Sequence, residues 1–265
     1  MNDADRFQKA LVTGASTGIG AAFAEALAAE GTDLVVVARD VARLDALAAR
    51  LGGAHGVGVA VLRADLTDAT EVARVEEAVR ADPRLDLVVN NAGFGTAGRF
   101  AELPVDGEER EIRLNVVALT RLTRAALPGM LERGRGAIVN VSSMAGFQPA
   151  PYNATYGATK AYVNSFSEAL AEELRGSGVR VQALCPGFTR TEFQERAGID
   201  VSSIPALAWM EPSEVVAASL DGLRRGTVVV VPGLANRATT TLVGLLPRRL
   251  VTRGFGLSAK RLFDR

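Results

Sequence analysis

A chain of 265 residues, 48% hydrophobic and 23% charged, is long enough for one large α/β domain with a well-buried core. Thirty basic and thirty acidic side chains cancel, so the net charge gives no reason to expect a nucleic-acid partner. The single cysteine, Cys185, excludes an internal disulfide and a cysteine cluster, and the single histidine, His55, excludes a zinc site built on histidines; no metal is expected.

The first ten residues carry Asp3, Asp5, Arg6 and Lys9 with little apolar content, unlike a signal or transit peptide. No uncharged apolar run approaches the roughly 18 residues needed to cross a bilayer, and a cytoplasmic protein is the expectation. A strand over 10–13 runs directly into Gly14-Ala15-Ser16-Thr17-Gly18-Ile19-Gly20 and an alanine-rich helix over 18–30, stopped by Gly31. Strand, glycine turn and helix in this order form the context of a dinucleotide fingerprint. Missing side chains let the backbone approach a pyrophosphate, and the helix N-terminus offers free N–H groups. Gly14, Ser16, Thr17, Gly18, Ile19 and Gly20 are therefore cofactor-binding candidates.

The second strand, 33–38, ends at Arg39-Asp40, about twenty residues past the glycines. An arginine there can pair with a 2′-phosphate, whereas an acid would hold ribose hydroxyls. Arg39 favours NADP(H) over NAD(H); a one-residue slip to Asp40 would reverse the choice. Asp40 can also cap a helix over 41–51. Strands at 57–63, 85–90, 137–142, 179–184 and 227–231 then alternate with helices at 68–81, 108–131, 155–175 and 212–224. His55 falls in a glycine-rich stretch, 52–58, and reads as a loop residue. The strands are rich in Val, Leu and Ile with few charges, as strands covered on both faces are. The expected fold is α/β and doubly wound, a Rossmann-type single domain with a seven-stranded parallel sheet flanked by helices. That domain is placed at 1–236, with a basic C-terminal helical extension of it at 237–265.

Tyr156-Gly157-Ala158-Thr159-Lys160 carries the chemistry. A four-residue step on a helix puts the phenol and the ammonium on one face. A fixed positive charge there lowers a phenol pKa that starts near about 10, giving a proton donor and acceptor. Ser142 and Ser143 both stand upstream as strand-end hydroxyls; the thirteen-residue offset to Tyr156 selects Ser143. Tyr152 and Tyr162 have no lysine four residues later.

These residues resemble the short-chain dehydrogenase/reductase family over nearly the whole chain. The matching motifs are Thr13-Gly14-x-x-x-Gly18-x-Gly20, Asp65-Leu66, Asn90-Asn91-Ala92-Gly93, Asn115, Ser143, Tyr156-x-x-x-Lys160 and Pro186-Gly187. The resemblance implies that Asp65 and Leu66 meet the adenine and that Asn91, Ala92 and Gly93 line the cofactor groove. It also implies that Pro186, Gly187, Phe188 and Thr191 border the nicotinamide side. Catalysis would fall to Asn115, Ser143, Tyr156 and Lys160. Tyr156 passes a proton to the carbonyl oxygen that Ser143 holds. Lys160 holds the nicotinamide ribose and, together with the oxidised nicotinamide, lowers the Tyr156 pKa. Asn115 orders a relay water.

Substrate walls are expected from Phe94, the 144–152 segment, and a long apolar loop at 188–211 with Phe188, Phe193, Ile199, Ile204, Leu207, Trp209 and Met210. Their character favours a lipophilic carbonyl or alcohol, with Arg190 and Arg196 leaving room for an anionic group. The tail sets Arg237, Arg248, Arg249, Arg253, Lys260, Arg261 and Arg265 against Asp264 alone. Three readings stand for it: a helical extension packing on the fold or a partner, a membrane-surface element, or a disordered appendage. The family resemblance implies a homodimer or homotetramer. Function reads as NADP(H)-dependent ketone–alcohol interconversion, the alternative being a dinucleotide-sensing protein without turnover.

Overall fold

The structure, a computed structural model, describes residues 6–198 and 204–263. Asp3, Asp5, Ile199, Asp264 and Arg265 lie outside these residues, as do the side chains of Lys260 and Arg261. Seven strands form one parallel sheet: β1 (Lys9–Thr13), β2 (Asp33–Ala38), β3 (Val59–Arg63), β4 (Leu85–Asn90), β5 (Gly136–Val141), β6 (Val179–Leu184) and β7 (Val229–Val230). Their order is β3-β2-β1-β4-β5-β6-β7. The chain order reverses between β1 and β4, and in an open parallel sheet that reversal opens a crevice at the carboxyl ends of the strands.

The helices are α1 (Gly18–Ala29), α2 (Val41–His55), α3 (Ala69–Ala81), α4 (Val105–Ile112), α5 (Leu119–Glu132), α6 (Ala154–Glu173), α7 (Phe193–Arg196), α8 (Pro212–Arg224), α9 (Leu234–Leu245) and α10 (Arg248–Phe263). Alternation along the strands divides the core into two layers. Ala10 and Val12 of β1 join Phe23, Leu27, Leu44 and Leu220 on one face of the sheet. Leu11, between them, joins Val72, Leu122 and Met130 on the other. A fully buried side chain of this size contributes about 1.5–3 kcal/mol.

Three elements differ from the sequence reading. The helix expected over 108–131 is α4 and α5 joined by a π turn at Arg113–Ala118. The helix expected to end at 51 runs on to His55, where Gly56 at φ 67° closes it, so β3 starts at Val59. β7 pairs over two residues only, because Thr227 N turns back to donate to the Gly222 carbonyl at 2.8 Å. Among the described residues no helix is long and apolar enough to cross a membrane.

Candidate active site

The glycine turn between β1 and α1 is built for close approach. Gly14 (φ 65°) and Gly18 (φ 57°) occupy the left-handed region that disfavours other residues. A Cβ on Gly14 would lie 2.8 Å from Asn91 Nδ2, and one on Gly18 would lie 2.8 Å from Thr191 Cγ2. On Gly20 it would strike the Gly14 carbonyl. Asn91 ties the turn to β4: its Nδ2 donates to the Thr13 carbonyl at 2.8 Å, and its N–H to Thr13 Oγ1 at 2.9 Å. Ala92 N donates to the same hydroxyl at 3.0 Å. Ser16, Thr17 and Ile19 stand half-buried at the mouth. Thr17 makes no side-chain cap and the first turn of α1 holds no acid, so its N–H dipoles suit a pyrophosphate. The cradle fits a dinucleotide.

Arg39 is exposed at the end of β2. Asp40 is engaged elsewhere, its Oδ1 accepting from Arg43 N at 3.0 Å as the cap of α2. Across the groove, Asp65 Oδ1 accepts from Thr67 N (3.0 Å) and Thr67 Oγ1 (2.8 Å). Burial raises the Asp65 pKa, but the Thr67 hydrogen bonds and the charge of Arg39 outweigh it and hold the carboxyl below its ordinary value. Leu66 beside it is buried.

The four expected catalytic residues converge on the β4–β5 side of the crevice. Lys160 is 5% exposed, donates from Nζ to the Val141 carbonyl at 2.9 Å, and lies 5.6 Å from the Tyr156 ring centroid. Ser143 caps a 3₁₀ turn, Met144–Phe147, its Oγ accepting from Ala145 N at 3.1 Å. Ser142 points away and donates to the Lys160 carbonyl at 2.9 Å. Asn115 sits in the π turn. Its Nδ2 donates to the Phe94 carbonyl (2.8 Å) and to Thr159 Oγ1 (3.1 Å), and its Oδ1 accepts from Phe94 N (3.2 Å). Gly93 fits between Asn115 and Lys160: a Cβ there would lie 3.0 Å from Asn115 Oδ1 and 3.5 Å from Lys160 Nζ. π turns recur at functional sites because the widened turn re-aims one side chain.

Burial dominates the electrostatics of the protein's own groups. Burial pushes the Tyr156 phenol up to about 12, with the charge of Glu111 adding to it and a Ser143 hydrogen bond opposing. Burial also pushes Lys160 down to about 8, opposed by Glu111 and Cys185. Desolvation thus outweighs the Ser143 hydrogen bond, and the protein's own groups hold the phenol protonated at neutral pH.

On the substrate side, Pro186 accepts through its carbonyl from Met144 N (3.0 Å), and Gly187 lies tight against Asn236. Phe188 packs on Trp209 with ring centroids 5.6 Å apart, and Phe193 of α7 packs on Tyr156 at 5.4 Å. Thr191 Oγ1 accepts from Phe193 N at 3.3 Å. Arg190 pairs with Glu211 at 3.0 Å and lies over Trp209. Arg196 is likewise paired with Glu192.

Three residues of this site escaped the sequence reading. Gly95 presses on Tyr156 and Phe193, and Glu108 and Glu111 are buried beneath the 93–96 loop. Glu111 stands four residues before Asn115, the same offset that couples Tyr156 to Lys160, and that was the available signal.

Comparison with known proteins agrees with this construction. The family profile described as short chain dehydrogenase matches residues 8–201. An uncharacterized oxidoreductase of Myxococcus xanthus (strain DK1622) is 35% identical over 257 residues, 97% of this chain and 98% of that protein. A short-chain dehydrogenase from Sphingobium yanoikuyae in complex with NADPH superposes with a TM-score of 0.82 at 45% identity, covering 91% of this chain and 97% of that one. The bulky-bulky ketone specific alcohol dehydrogenase of Comamonas testosteroni gives 0.78 at 37% identity, over 92% and 96%. The chain belongs to the short-chain dehydrogenase family and is an oxidoreductase that binds a nicotinamide dinucleotide.

Proposed function

We propose that this protein is an NADP(H)-dependent oxidoreductase interconverting a lipophilic ketone and its secondary alcohol, working as a homodimer or homotetramer. The observation that carries the reading is that Tyr156, Lys160 and Ser143 meet in the same crevice as the glycine turn. When bound, the nicotinamide supplies or takes the hydride. Tyr156, protonated at neutral pH, gives its proton to the carbonyl oxygen, and Ser143 donates a hydrogen bond to the oxygen as charge grows on it. Lys160, held by Val141, has its remaining N–H bonds for the ribose hydroxyls. The 2′-phosphate preference rests on Arg39, since Asp40 is engaged as a helix cap. Phe188, Phe193 and Trp209 give the substrate side its apolar character, and the pairing of Arg190 and Arg196 with acids favours an uncharged substrate.

The test is Tyr156→Phe against a panel of bulky ketones and alcohols, followed by cofactor absorbance. Turnover should fall by at least about 10²-fold, the usual worth of general acid–base catalysis, while NADPH binding stays within a few-fold. A variant keeping more than about a tenth of the wild-type rate contradicts the assignment. Tight NADPH binding with no turnover on any substrate would instead favour a sensing role.

A further inference from the structure

Glu111 lies one helical turn ahead of Asn115 and is fully buried. Its Oε2 accepts from Thr96 N at 2.8 Å and lies 2.8 Å from Thr96 Oγ1. Glu108 Oε1 converges on the same hydroxyl at 2.5 Å, and one hydroxyl proton serves one carboxylate at a time. Glu111 Oε1 is buried without a hydrogen-bond partner. A buried carboxylate so poorly compensated persists only beside a cation or by taking a proton. The titratable groups that face it are Glu108 on α4 and Tyr156 and Lys160 on α6, with the protonated Cys185 thiol behind Lys160 at the end of β6. Lys160 is the cation among them. Thr96 also belongs to the loop that sets Gly93 against Lys160 and Gly95 against Tyr156, so Glu111 reaches the catalytic pair by charge and, through Thr96, holds the loop packed on it.

We propose that Glu111 is a positioning residue whose buried carboxylate keeps Lys160 in its ammonium form and so sets the alkaline limit of cofactor binding and turnover. The inference rests on the reading of Tyr156 and Lys160 given above. Burial pushes Glu111 up to about 7, with the Thr96 hydrogen bonds opposing it and the charge of Glu108 adding; Lys160 is pushed down to about 8. In mild acid Lys160 is charged whatever Glu111 does; as the pH rises, burial favours loss of its proton and the ionised Glu111 opposes that loss. Without the carboxylate the ammonium loses its stabilising partner, so Lys160 deprotonates at lower pH.

NADPH binding is to be followed by the fluorescence of Trp209, the sole tryptophan, and of the bound nicotinamide. At about pH 6 the wild type and Glu111→Gln should bind NADPH alike, whereas near pH 8.5 the variant should bind about tenfold more weakly for each pH unit that the limb moves. The alkaline fall of kcat/KM should shift by the same amount. Glu111→Asp, which keeps the charge, should restore the limb. Glu111→Leu, a charge-free side chain that needs no partner, should reproduce the Gln profile and stands in for it if Gln does not fold. A uniform loss of kcat with an unmoved pH profile makes Glu111 a structural residue and overturns the proposal. A wild-type affinity that does not fall at alkaline pH removes the ribose-holding role of Lys160 as well; Tyr156→Phe independently reports on the acid–base reading.

Discussion

Arg39 and Asp40 are adjacent in sequence, and their side chains have opposite uses for the cofactor. The backbone sets them in different places. Asp40 adopts the extended conformation of an N-cap (φ −83°, ψ 94°) and turns its carboxylate onto Arg43 N, while Arg39 stays exposed beside the groove that Asp65 borders. A charged hydrogen bond of the arginine–phosphate kind contributes about 1.5–3 kcal/mol. Arg39→Ala should therefore weaken NADPH binding by roughly 10- to 100-fold and leave NADH binding within about twofold. Fluorescence titrations of both cofactors check this, and an equal loss for NADH would place the Arg39 contact on a part that both cofactors share, away from the 2′-phosphate. Asp40→Ala should change stability through the lost cap, with no change in cofactor preference.

The α4–π–α5 run shows where an element escapes its sequence. Apolar spacing over 108–131 is helical throughout, and one widened turn leaves that spacing almost untouched, so nothing in the pattern announces Asn115 as its centre. The run Glu108-Glu109-Arg110-Glu111 likewise reads as a solvated face. In fact Glu109 is exposed and pairs with Arg113 at 2.6 Å, while Glu108 and Glu111, three residues apart, turn inward together. The strands were far more legible: β2, β4 and β6 fall on their expected residues, because a buried parallel strand reads as a short, mostly apolar run. β7 was overread because two residues of pairing suffice once Gly222 captures Thr227. Of the site, the glycine turn and the Tyr156–Lys160 step were visible as spacing. The committed pairs of Arg190 and Arg196 were not, since ion-pair partners are set by tertiary packing. Asn115 tests the element most directly. Asn115→Ala strips partners from both the N–H and the carbonyl of Phe94, at about 1–3 kcal/mol for a buried polar group left unpaired. Tm should fall by roughly 3–8 °C for a chain of this size, and the rate should fall with it as the loop beside Lys160 loosens. An unchanged Tm would show that Asn115 does not hold that loop.

At the scale of the whole molecule, the C-terminal helices bear on the substrate side of the crevice. Asn236 at the start of α9 lies against Gly187 and Met210, and α9 packs on the 3₁₀ turn that begins at Ser143. A Cβ on Gly256 of α10 would lie 3.6 Å from Pro151 at the far end of the same segment, and Val251 is buried. Both helices therefore back the 144–152 segment. Their outer surfaces expose Leu234, Leu242, Leu245 and Leu250 beside Arg248, Arg249 and Arg253, so the extension lends packing to one side only. The glycine turn, Arg39 and Asp65 sit at β1, β2 and β3, on the other half of the sheet. Ending the chain after residue 236 should separate the two functions. NADPH affinity should stay within about threefold, while KM for a bulky ketone should rise about tenfold or more, the equivalent of about 1.4 kcal/mol of lost apolar contact. Calorimetry should show one transition in the full chain and one, at lower temperature, in the shortened chain. Two transitions in the full chain would make the extension an independent unit, and an unchanged KM would leave the 144–152 wall standing without it.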